Sequence, residues 1–203
     1  MPRIVLASQS TSRKRLLEGA GLKPTVIVSH VDEETDFFNA MSPEDMVIAL
    51  AVSKAHTVRE QIDYPAIIIG CDSTFEFKGK SFGKPLTEEL AVARCKELRG
   101  NFGLLHTGHC IIDTKQGIEI SDVSTSKVFF ADMTDAEIAG YVASGEPLNV
   151  AGGFTLDGLS APFISRIEGD PSGIIGLSLP LLRRVVNSLG LSWNSIAKSA
   201  VNA

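Results

Sequence analysis

Cysteine is scarce in this chain: Cys71, Cys95 and Cys110 are odd in number and none sits in a CxxC pair, so the pattern fits reduced, buried thiols and no disulfide framework. Aromatic residues make up only 6% and the net charge is −5, which leaves no basic, aromatic surface of the kind that holds nucleic acid. No apolar run approaches the roughly 18 residues of a membrane span, and Met1-Pro2-Arg3 leads straight into a strand-like segment without signal-peptide architecture. No membrane partner and a cytoplasmic location are therefore expected. Histidine offers one close pair, His106 and His109, but that spacing within a strand turns the two rings to opposite faces. Neither Gly-x-Gly-x-x-Gly nor Gly-x-Ser-x-Gly occurs, which removes the main support for a dinucleotide-binding or serine-hydrolase reading.

What remains is an ordinary globular composition, 44% hydrophobic and 21% charged over 203 residues, enough to bury a large core as one domain or as two lobes around a cleft. Strands are expected at 3–8 and 25–29, flanking a helix over 12–19 that a glycine ends. Ser42-Pro43-Glu44-Asp45 reads as a capped helix start, with the helix running to about 62. "AIIIGCDSTFEF" is a buried strand that turns back at Lys78-Gly79-Lys80. Thr87 caps a helix that Gly100 stops, strands follow at 104–112 and 118–130, and Thr134 opens a short helix ending near Gly145. A glycine-rich stretch at 152–158, a strand near 161–168 and a helix from Pro180 to Leu189 complete the pattern. Trp193 favours a packed helix over a frayed end for "SWNSIAKSAVNA", which includes Lys198. Parallel-type connections mixed with hairpins make this an α/β chain with a mixed sheet.

The first helix begins with cations where acids are usual, in "LASQSTSRKRLLEGAG". At 100° per residue, Leu16, Leu17 and Ala20 form its apolar stripe and Arg13 falls within that stripe, whereas Lys14, Arg15 and Glu18 fall outside it. Lys54 likewise lies on the axis of the stripe formed by Val47, Leu50, Ala51 and Val58. Inward cations call for an anion, which either the protein or a ligand can supply. Asp72 ends the buried run Ile67-Ile68-Ile69-Gly70-Cys71, the usual place for active-site groups in an open α/β sheet. Asp32, Glu33 and Glu34 follow the strand at 25–29 in the same way, and Lys84 adds a third cation in Phe82-Gly83-Lys84-Pro85. Carboxylates and cations at element ends suit a divalent metal with a polyphosphate, or else a scatter of salt bridges. Gly79-Lys80-Ser81 imitates the tail of a P-loop, but Thr74 stands at the first glycine and Pro85 breaks the helix that should follow.

Ser8-x-Ser10-x-x-Arg13-x-x-Leu16-Leu17, Asp32-Glu33, Lys54-Ala55, Gly70-Cys71-Asp72-Ser73, Gly83-Lys84-Pro85, Thr107-Gly108, Gly145-Glu146-Pro147 and Ala151-Gly152-Gly153-Phe154 together resemble the Maf family of nucleoside triphosphate pyrophosphatases, in the right order over nearly the whole chain. The resemblance implies a fold related to the inosine triphosphatases: α/β, with an elongated mixed sheet, flanking helices and two lobes around a cleft. Residues 1–203 would then be a single domain whose lobes are not independent. It also implies a cytoplasmic, often dimeric enzyme that hydrolyses a nucleoside triphosphate to the monophosphate and pyrophosphate, removing non-standard or surplus nucleotides. Asp72 would be the general base, Glu33 and Asp72 would hold Mg²⁺ or Mn²⁺, and Ser8, Ser10, Arg13, Lys54 and Lys84 would cradle the phosphates.

The departures concern the base. In the pyrimidine-directed branch of the family, an arginine stands in place of Ser12, a threonine in place of Ser73 and a glutamine in place of Asp157, and an Asp-Lys pair in place of Asn149-Val150. Ser12, Ser73 and Asp157 are therefore candidate substrate-binding residues with a different selectivity; a carboxylate at Asp157 suits a base with an N–H donor edge such as guanine, and is equally natural as a surface aspartate in a glycine-rich turn. A non-catalytic nucleotide-binding regulator of cell division is the alternative; it would keep Arg13, Lys54 and Lys84 without needing Asp72 as a base.

Overall fold

A computed structural model describes residues 2–201, with side chains to 197, so the reading of Lys198 lies outside the described side chains. Seven strands hydrogen-bond in one mixed sheet: β1 (Arg3–Leu6), β2 (Thr25–Val26), β3 (Ala66–Phe77), β4 (Lys80–Phe82), β5 (Phe102–Asp113), β6 (Ile118–Phe130) and β7 (Ile164–Glu168). Their order is β2-β1-β3-β5-β6-β7, with β4 paired to β3. β1 runs parallel to β2 and β3, whereas β4 on β3 and β7 on β6 are antiparallel. The helices are α1 (Thr11–Gly19), α2 (Asp36–Asn39), α3 (Pro43–Glu60), α4 (Glu88–Leu98), α5 (Asp135–Ala143), α6 (Pro171–Ile175), α7 (Leu179–Ser188) and α8 (Trp193–Val201). The chain divides into two compact units, one of Met1–Asp72, Thr107–Ser124 and Gly176–Ala203, the other of Ser73–His106 and Thr125–Ile175. No helix among the described residues is long and apolar enough to cross a membrane.

In the first unit the apolar run of β3 is buried on both faces, as strand alternation requires. Ile67 and Ile69 pack with Leu6, Leu17 and the α7 residues Leu181, Leu182, Val185 and Val186. Ile68 packs on the opposite side with Val5, Ala51, Ala55 and Val58. Ser42 accepts a bond from the Asp45 N–H to cap α3, with Pro43 in the first turn, as that sequence requires. The helix then lies close on the sheet because two residues facing it are glycines. A β-carbon on Gly70 would stand 2.9 Å from that of Ala55 and nearer still to the Ala51 carbonyl, and one on Gly108 would stand 2.6 Å from the Ile48 nitrogen. Both obstacles include helix backbone, which cannot turn aside. Gly70→Ala is therefore expected to destabilise the fold by about 1–3 kcal/mol, and an unchanged thermal midpoint would contradict this packing account.

The second unit has its own core. Phe75 meets Phe82, Phe130 and Phe154 edge to face. Beside this cluster, Ala91 and Cys95 of α4 pack with Ile138, Tyr141 and Val142 of α5. Thr134 and Glu137 close a capping box at the start of α5.

The structure departs from the sequence expectations mainly in short elements. β1 and β2 stop earlier than 8 and 29, and β7 begins at Ile164, after a helical turn over Ala161–Phe163. Helices α2 and α6 were not anticipated, because four or five residues are too few to show a period. Trp193 packs against the first unit's core and donates its indole N–H to the Ala20 carbonyl at 3.3 Å, in keeping with a packed final helix.

Candidate active site

Seven of the candidate residues belong to the first unit. Ser8 follows β1, Ser10 caps α1, Ser12 and Arg13 lie in that helix's first turn, Glu33 lies in the loop after β2, Lys54 lies in α3 and Asp72 lies in β3. Ser8 accepts bonds from the Ser10 N–H at 3.2 Å and from an Arg13 Nη1–H at 3.1 Å. Ser10 accepts from the Arg13 N–H, so each hydroxyl fixes the helix start that carries the arginine. With no acid in the first turn, the exposed N–H groups of α1 and the Arg13 guanidinium add positive potential in one place. Arg13 Nε also donates to the Gly176 carbonyl at 2.8 Å. That partner is a backbone atom, for which the sequence carries no signal.

Lys54 is 5% exposed, as its place on the helix stripe requires. Its ammonium lies between two carboxylates, 2.6 Å from Asp72 Oδ1 and 2.7 Å from Glu33 Oε1. Of the two anion sources open from the sequence, the protein supplies the one for Lys54. The two acids differ in surroundings, because Asp72 is buried while the Glu33 side chain is 49% exposed. Burial raises the Asp72 pKa above the ordinary carboxylate value, although Lys54 and then Arg13 pull it down. A carboxyl whose hold on a proton is strengthened by burial is better suited to taking one in a reaction than an exposed carboxylate. The neighbouring Cys71 thiol is pushed up to about 12, chiefly by burial, and so stays protonated and unsuited to nucleophilic attack.

The same geometry bears on a divalent cation. Glu33 and Asp72 aim hard carboxylate oxygens at one positive group, the Lys54 ammonium, and each keeps a second oxygen that a cation could use. Among the described residues no group of three or more His, Cys, Asp or Glu converges on a metal position. The pair fits an ion such as Mg²⁺ or Mn²⁺ that takes one or two protein carboxylates and completes its shell with phosphate oxygens and water.

The second unit carries the other three candidates. Ser73 is half-buried in β3, and Lys84 is exposed in the turn after β4. Asp157 is exposed in a turn that the Ser160 hydroxyl closes, accepting from the Thr155 N–H at 2.7 Å. Glu146 braces the same turn by accepting from the Thr155 hydroxyl at 2.7 Å and the Leu159 N–H at 2.9 Å. His106, in the same unit, bonds Thr125 and Glu76, whereas His109 of the first unit accepts from the Ser178 N–H.

The fold is α/β with a mixed sheet, and its first unit sets two carboxylates around a buried lysine at the middle of a central strand and a serine-braced arginine at a helix start. The chain belongs to the Maf-like protein family, whose model matches residues 3–189. It is 52% identical over 189 residues to a nucleoside triphosphate pyrophosphatase of Streptomyces coelicolor, covering 93% of this chain and 91% of that one. A protein of the same name from Thermosynechococcus vestitus is 48% identical, covering 92% of this chain and 93% of its own. A solved nucleoside-triphosphatase / dITP/XTP pyrophosphatase from Mycobacterium abscessus aligns over 91% of this chain and 98% of its own, at a TM-score of 0.37 and 15% identity.

Proposed function

We propose that this chain hydrolyses a nucleoside triphosphate to the monophosphate and pyrophosphate. The observation that carries the reading is the Glu33–Lys54–Asp72 cluster: a buried carboxylate midway along β3, a second acid and a desolvated ammonium. The names of its relatives, at up to 52% identity, support the same activity. Asp72 takes the proton from the attacking water, and Lys54 holds its Oδ1 and so fixes the orientation of the carboxylate. Arg13, with the N-terminus of α1, neutralises phosphate charge, and Ser8 keeps the guanidinium in place. Lys54, expected from the resemblance to cradle phosphate, is instead taken up by Asp72 and Glu33; Lys84 is a phosphate ligand, and Ser10 and Ser12 lie at the start of α1. Glu33 and Asp72 would hold a divalent cation, which when bound supplies charge neutralisation for the leaving pyrophosphate.

The base is recognised by the residues that depart from the pyrimidine-directed pattern. Asp157 accepts from the N–H edge of guanine, and Ser12 and Ser73 are the other two positions that depart from that pattern. The biological role is removal of non-standard or surplus nucleotides. Turnover of GTP, UTP and dTTP with Mg²⁺, with Mn²⁺ and with chelator tests both statements. Metal-dependent turnover led by GTP is expected. Equal turnover in chelator would contradict the metal, and a clear UTP preference would contradict the base assignment.

A further inference from the structure

Lys84 sits in an exposed turn whose backbone is tied on either side, at the Gly83 carbonyl and at the Leu86 N–H. Arg94, from α4, donates from Nη1 to the Gly83 carbonyl, and its guanidinium lies 4.9 Å from the centre of the Phe82 ring. Phe82 is itself anchored edge to face against Phe75 and Phe77. Pro85 is buried, and the Leu86 N–H donates to the Leu148 carbonyl at 3.0 Å. Leu86 is held at φ +66 with its side chain 68% exposed, a left-handed backbone that a leucine adopts only when its surroundings impose it. A strained, exposed leucine two residues from an exposed lysine gains the fold nothing by its own packing.

We propose that Arg94 is a positioning residue that locks the Gly83–Leu86 turn and so sets how tightly Lys84 engages a polyphosphate. The proposal rests on the reading of Lys84 as a phosphate ligand. A flexible lysine loses side-chain and backbone freedom when it binds an anion, and a turn already ordered loses less. Arginine suits this task because one flat group can donate to a carbonyl and lie on an aromatic face at the same time, which an ammonium does less well.

The test is calorimetric binding of sodium tripolyphosphate, in chelator, to the full chain and to Lys84→Ala, Arg94→Leu, Arg94→Lys and the double variant Lys84→Ala/Arg94→Leu. Lys84→Ala and Arg94→Leu are each expected to weaken binding about tenfold, and the double variant no further than Lys84→Ala alone, because the two act through one contact. Arg94→Lys, which keeps the charge and serves if Arg94→Leu does not fold, is expected to recover only part of the affinity. Full affinity in the folded Arg94 variants, or a double variant weaker by the product of the two single effects, would overturn the role of Arg94 while leaving Lys84 a phosphate ligand. Unchanged binding by Lys84→Ala would overturn both.

Discussion

Asp72→Asn should reduce kcat about a thousandfold while nucleotide binding survives. The amide keeps the size of the side chain and can still accept from Lys54, but it cannot take a proton, and a positioned general base is worth about 10²–10⁴ in rate. The cations around it are untouched: Arg13 keeps its bonds to Ser8 and to the Gly176 carbonyl. Steady-state turnover and equilibrium binding of the same triphosphate check this. Turnover close to that of the unaltered chain would remove Asp72 from the chemistry.

Lys54→Met should be the most damaging single change to stability, costing about 3–5 kcal/mol, because removing one member of a buried ion pair leaves the other charged and uncompensated. Asp72 is the member at risk, since the Glu33 side chain is half exposed and can be solvated where it stands. The pH dependence has a definite sign. Burial already raises the Asp72 pKa, and Lys54 is the strongest influence opposing that rise, so its loss sends the pKa higher. A carboxyl whose folded pKa lies above its unfolded value favours folding only while protonated, so its penalty grows as pH rises above the ordinary carboxylate pKa. The deficit of the variant should therefore be largest above the raised Asp72 pKa and shrink as pH falls from there toward the ordinary carboxylate pKa. Thermal denaturation in chelator across that range is the measurement, and a deficit that is constant with pH would contradict it.

Much of this site can be read from the chain. Helical phase places Arg13 and Lys54 inward, and Lys54 is indeed buried. Asp72 is marked by the end of the apolar run Ile67–Cys71, but the strand itself runs on to Phe77, so the expected place at a strand end is corrected to mid-strand. The hydroxyls before α1 act as a cap, as their spacing requires. Other features are illegible for physical reasons. The joint hold of Glu33 and Asp72 on one ammonium depends on the path of a loop after a strand only two residues long, which periodicity does not describe. The Gly176 carbonyl that holds Arg13 is backbone, and any residue could present it. Arg94 looks like a solvated helix residue, and only the fold sets it against the Lys84 turn. The glycines at 70 and 108 are visible as motif residues, but their reason, the close approach of α3, is three-dimensional.

The most direct test of the account is the identity of the products. The chain, supplied with GTP and Mg²⁺ and followed by ³¹P NMR, should yield one GMP and one pyrophosphate for each triphosphate consumed, and Asp72→Asn should yield neither at a comparable rate. Release of GDP and orthophosphate would place the cleavage at the wrong bond. Tight binding of GTP, UTP and dTTP without turnover of any would make the site a nucleotide sensor and contradict the hydrolytic reading.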